Sequence, residues 1–245
     1  MNSRGKVYIL GAGPGAPDLL TVRGAEVLSQ ADVVLHDALV SEEVLELCPP
    51  HCELVAVGKR RGIPFEDRQA QIHQLLEDAS LKHKVIVRLK GGDPCIFGRG
   101  GEDIEFLESK GIPWEMIPGV SAGIGGLSAL GLPVTHRDVA SSVTILTGSH
   151  ALSGDTQGIE WAKLIHEKQT LVFYMPFQHI EKIVTELTEH GMSAETWSAV
   201  ISKISLPDQK VITAPLSEIV DAVSKAKMET PALMVVGQVV KCWNF

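Results

Sequence analysis

The chain is short of several things, and each shortage removes a class of protein. Only four cysteines (Cys48, Cys52, Cys95 and Cys242) occur in 245 residues. They are too few and too scattered for a disulfide framework, which points to a reducing, cytoplasmic setting. The run Cys48-Pro49-Pro50-His51-Cys52 brings thiols and an imidazole together, but no second ligand pair follows, so it reads as a surface turn and no metal is expected. No apolar run approaches the roughly 20 residues of a membrane span, and the N-terminus MNSRGKVYIL lacks the apolar core of a signal peptide. Basic charge is also in deficit. The net charge of −8 removes generic attraction to nucleic acid or an anionic membrane. An acidic ligand must therefore meet a local basic pocket.

What is present is regular alternation. Strand-like runs (Lys6 to Leu10, Asp32 to His36, Leu54 to Val57, Val85 to Leu89, Trp114 to Ile117) alternate with helical patterns, the signature of an α/β fold with parallel strands. Helices are expected over Val22 to Gln30, after Ser41 as a cap, around Ile72 to Ala79 and over Glu102 to Lys110. Pro118-Gly119 interrupts the pattern and predicts a boundary between an N-terminal α/β domain, 1–118, and a C-terminal one, 119–245. The second half opens with a small-residue helix, Ser121 to Leu130. Strands are expected at Val143 to Thr147, Thr170 to Tyr174, Trp197 to Ser202, Lys210 to Thr213 and Leu233 to Val236. Amphipathic helices fit Ile180 to Leu187 and Leu216 to Ala226, and Ser149 to Gly158 reads as a polar loop.

Two glycine-rich loops stand out. Gly11-Ala12-Gly13-Pro14-Gly15-Ala16 formally matches a dinucleotide fingerprint, with Asp37 downstream as the ribose acid. Pro14 and Pro17, however, remove backbone N–H groups that a pyrophosphate needs. The loop suits close approach by a neutral or cationic ligand instead. The second loop runs from strand Val85 to Leu89 through Lys90-Gly91-Gly92-Asp93-Pro94 and Phe97-Gly98-Arg99-Gly100-Gly101-Glu102. A strand's carboxyl end opening into such a loop is where open α/β sheets hold small molecules.

With these loops, Gly58-Lys59-Arg60, Ile117-Pro118-Gly119-Val120-Ser121-Ala122 and Thr135-His136-Arg137-Asp138 all present in order, the chain resembles the uroporphyrinogen-III C-methyltransferase family of tetrapyrrole methylases. The resemblance spans Lys6 to Val240. It implies a two-domain fold (the class III methyltransferases), S-adenosylmethionine (SAM) in the cleft between the halves, and a homodimer. It assigns Pro14, Gly91, Gly92, Asp93, Ile96, Ser121, Ala122, Met175 and Ile204 to SAM, Asp37 to accepting a proton, Lys59 to donating one, and Arg99 and Glu102 to the reacting end of the porphyrinogen pocket.

The implied reaction suits these residue types. An electron-rich pyrrole carbon takes a methyl from a sulfonium and then loses a proton, so a carboxylate, Asp37 or Glu102, is chemically sensible. The polycarboxylate substrate calls for cations, and Arg60, Arg61, Lys90, His136 and Arg137 lie at expected strand ends, with Arg88 the weakest member because it could alternate out of its strand. The expected activity is methylation of uroporphyrinogen III at two positions to give precorrin-2. The alternatives are a methylase of a later precorrin and a nucleotide-binding regulatory protein. The chain departs from its relatives at Ala38, in Gly62 to Arg68, at Cys95 and at Ser149, where His150 follows one place late. Three of these touch the carboxylate-binding side.

Overall fold

The computed structural model describes residues 4–58, 65–148 and 159–243. The chain divides into two compact units, Met1–Ser121 and Ala122–Phe245, so the break falls after Ser121, not after Pro118. The first unit holds β1 (Lys6–Gly11), β2 (Val33–His36), β3 (Glu53–Ala56), β4 (Val85–Lys90) and β5 (Trp114–Ile117), with α1 (Val22–Leu28), α2 (Glu42–Leu45), α3 (Phe65–Lys82) and α4 (Gly100–Ser109). Its sheet has the order β3-β2-β4-β1-β5, and every pairing is parallel. All five carboxyl ends therefore open along one edge.

Strand alternation sends side chains to two apolar layers. Val7, Ile9, Leu35 and Ile86 pack with Ile72, Leu76 and Ala79 of α3 and Leu107 of α4. Leu10, Val34, Val87 and Leu89 pack on the opposite face with Val27 and Leu28 of α1 and Val44 of α2. Each fully buried aliphatic side chain contributes about 1.5–3 kcal/mol. α1 begins at Val22, where Thr21 Oγ1 accepts the Gly24 N–H at 3.1 Å, and Pro17 to Leu19 form only a 3-10 turn ahead of it. Ser41 does not cap α2 as expected; its hydroxyl donates to the Gly15 carbonyl at 2.7 Å and ties the two loops together. At the other edge of the sheet, Asp32 Oδ2 accepts the N–H groups of Lys84 and Val85, both at 2.9 Å.

The second unit corrects the expectation of parallel strands throughout. Its strands are β6 (Ser142–Thr147), β7 (Gln169–Tyr174), β8 (Trp197–Ser202), β9 (Lys210–Pro215) and β10 (Ala232–Val236), in the order β6-β7-β10-β8-β9. Only β6 and β7 are parallel; β10 runs antiparallel to both β7 and β8, and β8 pairs antiparallel with β9. The chain passes from β8 to β9 without a helix, which permits only a hairpin. The helix expected from Ser121 to Leu130 is a π-helical turn, Ala122–Gly126, running into one turn of α5 (Leu127–Ala129). The Gly123 N–H, a first-turn donor with no acceptor inside the helix, is satisfied by the Tyr174 hydroxyl at 2.6 Å. Helices α6 (Ile180–Glu189) and α7 (Leu216–Lys225) cover one face through Ile183, Leu187, Leu216, Ile219 and Val223.

Two outcomes are expected from this packing. A Cβ at Gly119 would lie 2.1 Å from the Gly92 carbonyl oxygen and 2.7 Å from Gly11 Cα, both backbone atoms with no side-chain freedom to yield. Gly119→Ala should thus cost about 1–3 kcal/mol by overpacking, read as a lower denaturant midpoint. The Asp32 carboxyl is held below its ordinary 3.8 chiefly by the Val85 N–H, against the opposing effect of burial. Its stabilisation is fully present above the ordinary value and lost as pH falls through the lowered native one, so the stability gap between the parent and Asp32→Ala should begin to narrow below about pH 5 and go on narrowing below 3.8.

Candidate functional site

In the first unit the carboxyl ends of β1, β4 and β5 meet backbone to backbone. Gly13 and Gly92 exchange hydrogen bonds, Gly13 N to Gly92 O at 3.2 Å and Gly92 N to Gly13 O at 2.7 Å. Gly11, Gly92 and Gly119 approach so closely that a side chain at Gly11 or Gly119 would strike main chain. Gly92 differs: it is glycine for its φ of +67°, and a Cβ there would meet nothing within 4 Å. The floor of the loop thus faces open space. Asp93 fastens the junction, with Oδ1 accepting Cys95 N at 2.8 Å and Oδ2 accepting Gly119 N at 3.0 Å. Each carboxylate oxygen has room for a further bond.

Behind this floor lies a charged cluster that the sequence reading placed differently. Ile86, Arg88 and Lys90 alternate onto the α3–α4 face of β4, so Arg88 and Lys90 point inward, each only 3% exposed. Lys90, expected to grip substrate, donates instead to Asp103 Oδ2 at 2.8 Å; Asp103 is fully buried on the first turn of α4. Gln69 Nε2 and His73 Nε2 on α3 reach Asp103 Oδ1 at 2.7 and 3.2 Å, and the His73 ring stacks on Phe106 at 4.3 Å. Arg88 gives Nη2 to Asp37 Oδ1 at 2.5 Å and Nη1 to the carbonyls of Leu35 and Leu89 at 3.2 and 3.1 Å. Its Nε, 4.0 Å from Asp103 Oδ2, has no hydrogen-bond partner. Burial alone would raise the Asp103 pKa, but the His73 bond and the charges of Lys90 and Arg88 outweigh it and hold the carboxyl at about 2. The Lys90 pKa is lowered, by burial first and by Arg88 second, against the pull of Asp103.

Asp37 is the member of this cluster that reaches the surface, with 31% of its side chain exposed. Arg99 and Glu102 lie on the same carboxyl side and form a bidentate pair, with Nε donating to Oε1 at 2.7 Å and Nη2 to Oε2. That pairing raises the Arg99 pKa and lowers that of Glu102. Glu102 is thus ionised but weakly basic. Phe97 and Arg99 hold left-handed backbones, φ 53° and 59°, a conformation that costs a non-glycine residue of order 1 kcal/mol and gathers at functional loops. Pro14, Gly91 and Ile96 flank the junction half-buried, and a Cβ at Gly91 would touch Leu39. Lys59, Arg60 and Arg61 lie outside the described residues, as do Ser149 and His150.

In the second unit, Ala122, Ile204 and Tyr174 share one apolar cluster, and Gly126 sits against Ile204. Met175 follows β7 with φ 55° and is 49% exposed; Ile204 is buried between Lys203 and Ser205, whose φ values are 51° and 65°. His136 and Arg137 are exposed on a turn closed by His136–Ala140 backbone bonds, where His136 Nδ1 accepts Asp138 N at 3.3 Å. Asp103, His73 and Gln69 were not picked out from the sequence. The signal was available: Gln69 and His73 are four apart on one helix face, and the 86-88-90 alternation carries two cations toward it.

Comparison with known proteins agrees with this geometry. The family model for tetrapyrrole (corrin/porphyrin) methylases matches residues 6–220. A sirohaem synthase of Pseudomonas fluorescens is 46% identical over 244 residues, covering 98% of this chain and 51% of that protein. One from Azotobacter vinelandii is 45% identical over 240 residues, covering 97% and 50%. The chain thus spans about half the length of the curated relatives it matches. A uroporphyrin-III C-methyltransferase of Thermus thermophilus, solved with S-adenosyl homocysteine, superposes with a TM-score of 0.81 at 36% identity, covering 98% of this chain and 96% of that one. A cobalt-precorrin-4 methyltransferase of cobalamin biosynthesis gives 0.84 at 28%, covering 96% and 95%. By the extent of the family match and by these identities, this chain belongs to the tetrapyrrole (corrin/porphyrin) methylases.

Proposed function

We propose that the chain is a SAM-dependent C-methyltransferase that methylates uroporphyrinogen III at two carbons to give precorrin-2, working as a cytoplasmic homodimer. The observation that carries this reading is the glycine junction of β1, β4 and β5, with open space above Gly92 and spare acceptor capacity on Asp93. Gly91, Gly92 and Asp93 suit SAM: backbone approaches it closely, and a carboxylate is free to accept from a hydroxyl or amino group. When bound, SAM supplies an electrophilic methyl group. The chain's own residues then have separate tasks. Arg99 orients the porphyrinogen by its carboxylates. Asp37, ion-paired yet partly exposed, takes the proton that the pyrrole carbon releases after alkylation. Orientation of this kind supplies on the order of 7–11 kcal/mol in favourable systems.

A second reading, methylation of a later precorrin, is favoured by the 0.84 superposition on the cobalt-precorrin-4 enzyme. Incubation of purified chain with SAM and uroporphyrinogen III decides between them: precorrin-2 should form, and its absence with a competent positive control rejects the first. Two variants refine the assignment. Gly92→Ala should destabilise the fold by only about 1–2 kcal/mol, the cost of a left-handed L-residue. Because its new methyl enters the open space, S-adenosyl homocysteine affinity should fall about tenfold or more by calorimetry; unchanged affinity removes the loop from the cofactor site. Arg99→Ala should keep that affinity and lower turnover about 10- to 100-fold, the worth of a charge-assisted bond; normal turnover excludes Arg99 from the porphyrinogen pocket.

A further inference from the structure

A fully buried carboxylate and two nearly buried cations are costly to maintain. Each desolvated ion forfeits several kcal/mol, and apolar residues of equal volume commonly serve stability as well or better. Yet β4 turns Arg88 and Lys90 into the α3–α4 layer, and Asp103 meets them there. The cluster's outermost member is Asp37, which Arg88 holds at 2.5 Å. We infer that Asp103 is a positioning residue that acts on Asp37 through charge: it offsets Lys90 and the inner edge of Arg88, so that the guanidinium, held outward by two backbone carbonyls, meets the Asp37 carboxylate without the added field of an uncompensated lysine. This rests on the reading of Asp37 as the proton acceptor in tetrapyrrole methyl transfer.

The geometry supports it at each link. Arg88 Nη1 is pinned by the Leu35 and Leu89 carbonyls, which leaves Nη2 for Asp37. Arg88 Nε faces Asp103 at 4.0 Å without a bond, so Asp103 acts on it through charge while bonding Lys90, His73 and Gln69 directly. The groups facing the cluster from each packed element are Asp37 after β2, His73 on α3, Arg88 and Lys90 on β4, and Arg99, Glu102 and Asp103 at the start of α4, while His36 reaches only the Asp37 backbone carbonyl. Asp37, Arg88, Asp103 and Lys90 balance as two anions and two cations. Removing one anion favours deprotonation of every remaining group; removing one cation does the reverse.

The test is the pH profile of precorrin-2 formation, with S-adenosyl homocysteine affinity as the control. Asp103→Asn should move both limbs of the profile to lower pH, by on the order of one unit for a unit charge at an effective dielectric of about 20. It should also lower plateau turnover, since Asp37 becomes a weaker base, while affinity stays within about twofold. Lys90→Met should move the acid limb to higher pH. The double variant, with charge balance restored, should return the limbs toward the parent positions. A merely structural role predicts lost stability without opposite, cancelling shifts. If Asp103→Asn fails to fold, Lys90→Met and the double variant carry the comparison. A double profile that coincides with that of Lys90→Met, or an Asp103→Asn profile that overlays the parent's, overturns the inference. A parent chain that makes no precorrin-2 overturns the underlying reading and this inference with it.

Discussion

The constraint on which the rest depends is the contact of three strand ends at less than a side chain's width. β1 lies between β4 and β5, and all three run parallel, so their exits must pass one another on a single edge. A Cβ at Gly11 would lie 2.6 Å from both the Gly119 backbone and the Gly92 carbonyl. Side chains are therefore excluded from the centre of this edge, and what remains is a floor of main chain. Asp93 turns that floor into a fixed one by holding Cys95 and Gly119 with separate oxygens. The charged groups Asp37, Arg99 and Glu102 stand around the floor and not on it.

The same alternation that builds the core also decides which charges are available. On β4, Val87 and Leu89 enter the α1–α2 layer while Ile86 enters the other. Arg88 and Lys90 continue the Ile86 series and must bury charge as the strand ends. α4 answers with Asp103 and α3 with His73, and the carboxyl's pKa falls to about 2 because partners outweigh burial. Asp103 therefore stays ionised across the physiological range, and the Asp37 carboxylate stands at the boundary with water.

Much of this was legible in the sequence, for identifiable reasons. Runs such as Val85 to Leu89 and Leu233 to Val236 announce strands because both faces are buried, and Ile180, Ile183 and Leu187 announce a helix by spacing. The β8–β9 hairpin could have been read from the missing helix between its strands, but the insertion of β10 between β7 and β8 is a long-range pairing that hydrophobicity does not encode. Lys90 was misplaced because a lysine beside two glycines looks like loop. Following the two-residue period one step further turns it inward with Ile86 and Arg88. Asp103 was passed over because its neighbour Glu102 fitted the expected motif, although the two point to opposite surroundings, one buried and one exposed.

That difference in burial bears on how a polyanionic substrate can be gripped. Arg99 is paired with Glu102, but the pair is partly exposed, with side chains 31% and 46% accessible. Exposed ion pairs contribute about 0–1 kcal/mol, so a substrate carboxylate can displace Glu102 at little cost. Lys90 is in the opposite position: drawing it outward would strand Asp103, a buried carboxylate, at a cost of about 3–5 kcal/mol. Under the proposed function, Arg99 is therefore placed to receive a substrate acid where Lys90 is not. Under the same proposal, the inward cations serve the carboxylate that handles the proton, and the outward one serves the ligand. A single strand end with its following loop separates the two roles by the direction in which successive side chains point.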